Sequence, residues 1–364
     1  MTSPTESQLL QALSSVVDPN TGRDFVSSKQ LRNLKVEEGD VSFDVELGYP
    51  AKSQMPGLRK ALIAAARTLP EVENVSVQMT SKIVAHAVQR GVPLLPGVKN
   101  IIAVASGKGG VGKSTTTANL ALALAAEGAS VGILDADIYG PSQPMMMGIA
   151  GRPESADGKT MQPLENYGVQ VISIGFMVDT DQAMIWRGPM ATQALEQLLR
   201  QTNWRELDYL LVDMPPGTGD IALTLSQRVP LTGAVIVTTP QDIALLDVQR
   251  GVEMFRKVGV PILGIIENMA VYCCPNCGHT EHIFGAGGGR RMAEKYEVDT
   301  LGSLPLALAI REQADAGRPT VVADPDGGAA ATYREIARRT AIKIAAKAKD
   351  FSSKFPTITV SKNT

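Results

Sequence analysis

The densest chemistry in this sequence lies in ASGKGGVGKSTTTANL, residues 105–120. Gly107 to Ser114 fits G-x-x-x-x-G-K-S. At that spacing glycines let backbone N–H groups face a phosphate chain, while the helix that follows adds partial positive charge from its N-terminus. Gly107, Lys108, Gly109, Gly110, Val111 and Gly112 would form the cradle, with Ser114 and Thr115 opening the helix. Lys113 would reach the β- and γ-phosphates of ATP, and the Ser114 hydroxyl would ligate Mg²⁺. A phosphate loop needs one lysine. This one has two, so Lys108 calls for a separate explanation.

Carboxylates suited to a nucleotide site follow downstream. Asp213 closes the apolar run YLLVDMP, where it can hold the Mg²⁺ hydration shell, and it leads into PPGTGD, a loop able to sense a γ-phosphate. LDADIYGPSQP sets Asp135 and Asp137 two apart at a strand end, and once the strand breaks the two need not point the same way. We assign Asp137 to orienting the attacking water and Asp135 to the metal side, although an Asx turn before Tyr139 is equally compatible with both. Asn268 follows PILGIIE, and its carboxamide, both donor and acceptor, suits the N6/N7 edge of adenine.

A second centre is NMAVYCCPNCGHTEHIFG, which holds all three cysteines, Cys273, Cys274 and Cys277. Clustering of this kind is poor for a secreted disulfide framework and natural for a metal site. In C-P-N-C the thiolates of Cys274 and Cys277 can converge on one centre, whereas Cys273, adjacent to Cys274, diverges. A [4Fe–4S] cluster usually takes four cysteines, which two chains giving Cys274 and Cys277 would supply. Zinc with His279 and His282 ranks second, because their spacing departs from the usual pattern, and a redox C-x-x-C stays open. His86 has no companion ligands and reads as structural. Met145, Met146 and Met147 read as gap-filling side chains.

These residues need elements to position them. The 364-residue chain is long enough for two domains, and its net charge of −2 gives no global argument for a nucleic-acid or anionic-membrane partner. No basic leader or bilayer-length apolar run is present, so the expected location is cytoplasmic. Residues 1–85 read as a small α+β domain, with a helix over Leu9 to Val17, a turn at DPNTG and alternation at Val41, Phe43, Val45 and Leu47. A second helix from Gly57 to Leu69 and a strand from Val75 to Val77 complete it. Residues 86–99, rich in proline and glycine, read as a linker. Across 100–350, continuous apolar runs (IIAVAS, SVGILDAD, YLLVDMP, AVIVTTP, PILGIIEN) alternate with helical stretches, which predicts an α/β fold with a doubly wound, mostly parallel sheet. The basic, alanine-rich stretch after Gly327 reads as a solvated surface helix, and 351–364 as a mobile tail.

GKGGVGKST, with its extra lysine, resembles the deviant Walker A loop of the MinD/ParA/nitrogenase-reductase ATPases. That resemblance implies a homodimer in which Lys113 serves its own nucleotide and Lys108 the partner's. Together with DADIYGPSQP, MIWRGPM, LDYLLVDMPPGTGD, TTPQDIALLDV, GIIENMAVYCCPNCG, HIFGAGGG and LGSLPL, the chain resembles the Mrp/ApbC family of iron–sulfur cluster carrier ATPases along nearly its whole length. Residues 5–80 resemble the small domain that heads bacterial members. Some relatives of that domain carry a cysteine. This one has none, so target docking is the role left to it. The resemblance implies slow ATP hydrolysis, a [4Fe–4S] cluster held between subunits, transfer to apoproteins, and upstream cluster scaffold proteins as partners. Trp186, Arg187 and Gly188 match the family without suggesting chemistry. The competing reading is a MinD/ParA-like positioning ATPase with a structural zinc or redox C-x-x-C.

Overall fold

Alternating apolar residues from Val41 to Leu47 put one face of a strand into a core, and that strand is the middle of a small sheet. The computed structural model describes residues 4–89, 91–177, 188–274 and 276–347. Its first part comprises α1 (Glu6–Leu13), β1 (Leu31–Glu37), β2 (Asp40–Leu47), α2 (Met55–Ala66) and β3 (Asn74–Ser81). The sheet order is β1-β2-β3, with β1 antiparallel and β3 parallel to β2. Leu9 and Leu13 of α1, Phe25, and Leu58 and Leu62 of α2 fill its core. A capping box between Thr5 and Gln8 starts α1. That helix stops before Val17, which instead pairs with Asp24 around the DPNTG turn. There the buried Asp18 accepts from Asn20 N (3.0 Å), Thr21 Oγ1 (2.9 Å) and Tyr49 Oη (2.6 Å). Strand β1 escapes the sequence reading because LRNLKVE is polar and no position of it is fully buried.

The large part contains β4 (Val98–Ala105), α3 (Lys113–Ala126), β5 (Val131–Asp135), α4 (Gln143–Met146), β6 (Leu164–Asn166) and β7 (Val169–Ser173). After these come α5 (Gly188–Gln201), β8 (Leu207–Asp213), α6 (Asp220–Arg228), β9 (Gly233–Thr238), α7 (Asp242–Lys257) and β10 (Ile262–Glu267). The chain closes through β11 (Tyr272–Cys273), β12 (Thr280–Glu281), α8 (Gly288–Tyr296), β13 (Thr300–Ser303), α9 (Leu308–Asp315), α10 (Thr320–Ala323) and α11 (Gly328–Ala345). The main sheet runs β13-β10-β9-β4-β8-β5-β7-β6, parallel except for β6 at one edge. Helices cover both faces, so the central strands β5, β8 and β9 are buried almost throughout. The chain leaves β4 for β5 on one side and later returns to fill β9 and β10 on the other. Loops at the carboxyl ends of these strands therefore open at a topological switch point, the usual ligand position in such sheets.

One expectation is corrected. The stretch after Gly327 is no solvated surface helix: α11 buries Ala330, Tyr333, Ile336, Ala337, Ala341 and Ile344 and packs along α3. Its alanines allow close approach, and its arginines are anchored, Arg339 donating to Leu301 O at 3.0 Å. At the ends of the segment between the two parts, the buried His86 places Nδ1 3.0 Å from Asn100 Oδ1 and β4 begins at Val98. The parts join at Glu127, just past α3. Its carboxylate is buried and accepts from Ser53 N (3.0 Å), Ser53 Oγ (2.6 Å) and Arg338 Nη1 (2.6 Å), while its carbonyl accepts from Lys52 N (3.1 Å).

Candidate nucleotide and cluster sites

The phosphate loop joins β4 to α3 in the context its spacing requires. Gly112, the N-cap of α3, has φ +80°, a left-handed conformation that favours glycine. A Cβ on Gly107 would lie 2.3 Å from Cβ of Asp247, so that position admits no side chain as packed. Lys113 begins α3 and is 5% exposed. Its Nζ makes a short ion pair with Asp213 Oδ1, lies 3.9 Å from Asp137 Oδ2 and donates to Ser114 Oγ at 3.2 Å. The lysine expected on phosphates thus neutralises the fully buried Asp213, which also accepts from Thr117 Oγ1 at 3.3 Å.

Asp135 anchors the loop after β5. It accepts from Asp137 N (3.2 Å), Ser142 N (3.0 Å), Gln143 N (3.1 Å) and Ser173 Oγ (3.0 Å). Burial pushes its carboxyl up to about 7, and the neighbouring Asp213 charge adds to the rise. Burial also raises Asp137, against the opposing effect of Lys113. The sequence reading passed over Gln143, whose fully buried carboxamide donates to Ser114 O (3.0 Å) and Asp213 Oδ2 (2.8 Å). Its place in LDADIYGPSQP is the one signal that could have found it. Ser114 Oγ, Asp137 Oδ2 and Asp213 Oδ1 all face Lys113 Nζ, an oxygen-rich setting of the kind Mg²⁺ prefers.

Asn268 donates to Val111 O at 2.8 Å, tying the end of β10 to the phosphate loop. The amide donor expected at an adenine edge is engaged there. Lys108 sits on the loop's outer rim and donates to Gln241 Oε1 at 3.2 Å, just ahead of α7. Beyond that contact Ile243 and Leu246 are 66% and 65% exposed on the first turns of α7.

The cysteines occupy a hairpin after β10, where β11 pairs with β12. Cys274 N donates to His279 O and Gly278 N to Cys274 O, each at 2.9 Å. N–H groups of Cys277 and Asn276 donate to the Cys274 sulfur and hold its thiol below the ordinary range, favouring the thiolate that metals bind. Cys273 and Cys277 are exposed, and Cys273 Sγ is directed at Gly278 O (3.7 Å). His282 is engaged with Ala270 O at 2.7 Å. Among the described residues no three His, Cys, Asp or Glu side chains converge on a metal position. Met147 is core and Met145 is exposed. Trp186, Arg187 and the tail 351–364 lie outside the described residues.

The pattern of the NUBPL iron-transfer P-loop NTPases matches residues 97–341, and that of an iron–sulfur cluster assembly protein matches 6–78. An iron–sulfur cluster carrier protein of Pseudomonas fragi is 60% identical over 275 residues, covering 75% of this chain and 96% of its own length. The Escherichia coli K12 carrier protein is 48% identical over 327 residues, 90% of this chain and 89% of its own. The mouse iron–sulfur cluster transfer protein NUBPL is 53% identical over 262 residues, 71% of this chain and 82% of its own. Among solved structures, a nucleotide-binding protein of Archaeoglobus fulgidus in complex with ADP superposes with a TM-score of 0.56 at 38% identity, covering 64% of this chain and 90% of that one. The cell division ATPase MinD of Pyrococcus furiosus shares the fold, with a TM-score of 0.50 at 24% identity over 66% of this chain and 97% of its own. The chain belongs to the NUBPL-type iron-transfer P-loop NTPases, with an iron–sulfur cluster assembly domain at its head.

Proposed function

We propose that this protein is an ATP-hydrolysing iron–sulfur cluster carrier that holds a [4Fe–4S] cluster between two copies of the chain and passes it to apoproteins. The observation that carries the reading is the Cys274–Cys277 hairpin. It presents two accessible thiols, one biased toward thiolate, with no third ligand converging on them among the described residues. A four-thiolate cluster then calls for a second chain. The hairpin follows Asn268 and Met269 at the carboxyl end of β10, one strand from the β9 end that leads to Gln241, the partner of Lys108. Cysteines and lysine therefore open at the same end of the sheet, where one homodimer would engage both.

In this reading ATP binds across Gly107–Thr115. Lys113 moves from Asp213 onto the phosphates, and Asp137 orients the water that attacks. Magnesium, bound through Ser114 and Asp213, would supply charge neutralisation on the phosphates. Lys108 would exchange Gln241 for the partner's nucleotide, which makes the closed dimer the better ATP-binding state and gives ATP a means to favour it. The small domain would dock clients or the upstream scaffold. No described helix is long and apolar enough to cross a membrane, and we place the protein in the cytoplasm with neither nucleic acid nor membrane as partner.

The test is iron and acid-labile sulfide per chain on anaerobically reconstituted protein, beside a Cys274→Ala/Cys277→Ala variant. We expect about four of each per dimer, lost in the variant. Zinc alone, or iron indifferent to the double substitution, would refute the carrier reading and leave a dimeric switch ATPase.

A further inference from the structure

Gln143 is the least expected member of the nucleotide site. It is a neutral side chain with no exposed surface, and it touches three segments that the chemistry must coordinate. Its Nε2 donates to Ser114 O at the start of α3 and to Asp213 Oδ2 at the end of β8, and its backbone N–H donates to Asp135 at the end of β5. The orientation of the carboxamide is fixed by these partners: turning it over would set an oxygen against a carbonyl and a carboxylate, both acceptors. Oε1 is therefore the remaining end, and it is buried without a hydrogen-bond partner. The neighbouring Ser142 Oγ is buried and unpartnered as well. Buried acceptors of this kind are destabilising unless something supplies the missing donor.

We propose that Gln143 is a positioning residue for the magnesium ion, holding the outer oxygen of Asp213 through Nε2 and accepting, through Oε1, a hydrogen bond from a water on the cation. Mg²⁺ keeps several waters when it binds beside phosphates, and such waters are strong donors. Lys113 occupies the other oxygen of Asp213, so Gln143 would keep the carboxylate plane fixed if a cation replaced the lysine. Partners of this type orient a metal-binding carboxylate, and their loss typically weakens metal affinity about 10- to 100-fold. The inference rests on the nucleotide reading of this site.

The experiment is ADP binding by calorimetry at graded Mg²⁺, with an EDTA baseline, on the full chain and on Gln143→Leu and Gln143→Met. Melting in EDTA selects the variant that folds, and two substitutions of similar volume guard against the failure of one. We expect ADP affinity in EDTA within about twofold of the parent and a Mg²⁺ half-saturation raised about 10- to 100-fold. A parental Mg²⁺ curve in either folded variant would overturn the proposal. So would an equal loss of ADP affinity with and without Mg²⁺, which would assign Gln143 to loop structure alone. A parent protein that binds no ADP would instead refute the nucleotide reading beneath it.

Discussion

Replacing Lys113 with Met should destabilise the nucleotide-free protein, in addition to abolishing ATP binding. Lys113 and Asp213 form an ion pair with 5% and 0% of their side-chain surface exposed. Methionine preserves the length and most of the volume of the lysine but leaves Asp213 without a counter-charge. What remains around that carboxylate is two neutral donors, Gln143 Nε2 at 2.8 Å and Thr117 Oγ1 at 3.3 Å. Removing one partner of such a buried pair costs about 3–5 kcal/mol, because the survivor is left uncompensated in a poorly solvated site. At roughly 2–4 °C per kcal/mol for domains of this size, the melting temperature should fall by about 6–20 °C. The assay is thermal and urea unfolding in EDTA without nucleotide, and the loss should be nearly independent of salt, since buried charges are poorly screened. Adding Asp213→Asn to Lys113→Met should restore at least half of the stability by removing the stranded charge. A single variant melting within about 2 °C of the parent, or a double variant no better than the single, would refute the argument that Lys113 stabilises the empty site.

Glu127→Gln should weaken the joint between the small and large parts. It removes the charge that faces Arg338, which is 12% exposed at its side chain, and weakens the two contacts from Ser53, a loss of about 3 kcal/mol that urea unfolding would register. An unchanged midpoint would show that apolar packing alone joins the two. Asp135 gives a pH signature: its folded value of about 7 lies above the model-peptide 3.8, so the folded state holds the extra proton between those limits. Stability is then greatest at the acid end of that window and falls as pH rises toward 7, by up to about 1.4 kcal/mol per pH unit. Asp135→Asn should flatten that fall in EDTA, and a slope identical to the parent's would count against the burial argument.

The fold was legible where the sequence patterns had a single physical solution. Runs such as YLLVDMP are apolar at every position, and only a strand covered on both faces uses them fully, as β8 does. Gly112, Lys113 and Ser114 could be placed because a strand, a glycine loop and a helix must follow in that order. Legibility failed where burial came from afar. The basic residues of α11 suggested solvent, yet Arg338 is drawn inward by Glu127, 211 residues earlier in the chain, and nothing local announces that partner. β1 was missed because one polar edge strand carries almost no periodic signal. Gln143 was missed because a glutamine one residue before a helix proline looks like turn chemistry until Asp213, seventy residues on, is brought within 2.8 Å.

The same distance logic bears on the two lysines. Lys113 is set by its own chain: the helix start fixes its backbone, and Asp213 fixes its charge. Among the described residues Lys108 meets the neutral Gln241, a contact that compensates none of its charge. Gln241 immediately precedes α7, whose opening turns carry the exposed Ile243 and Leu246. A cation engaged only by a neutral side chain can change partners at little cost, whereas a buried ion pair cannot. Under the proposed function, the lysine that would bind phosphate within the chain is therefore held by a carboxylate that a cation could relieve, and the other lysine by a contact that a phosphate could readily outcompete.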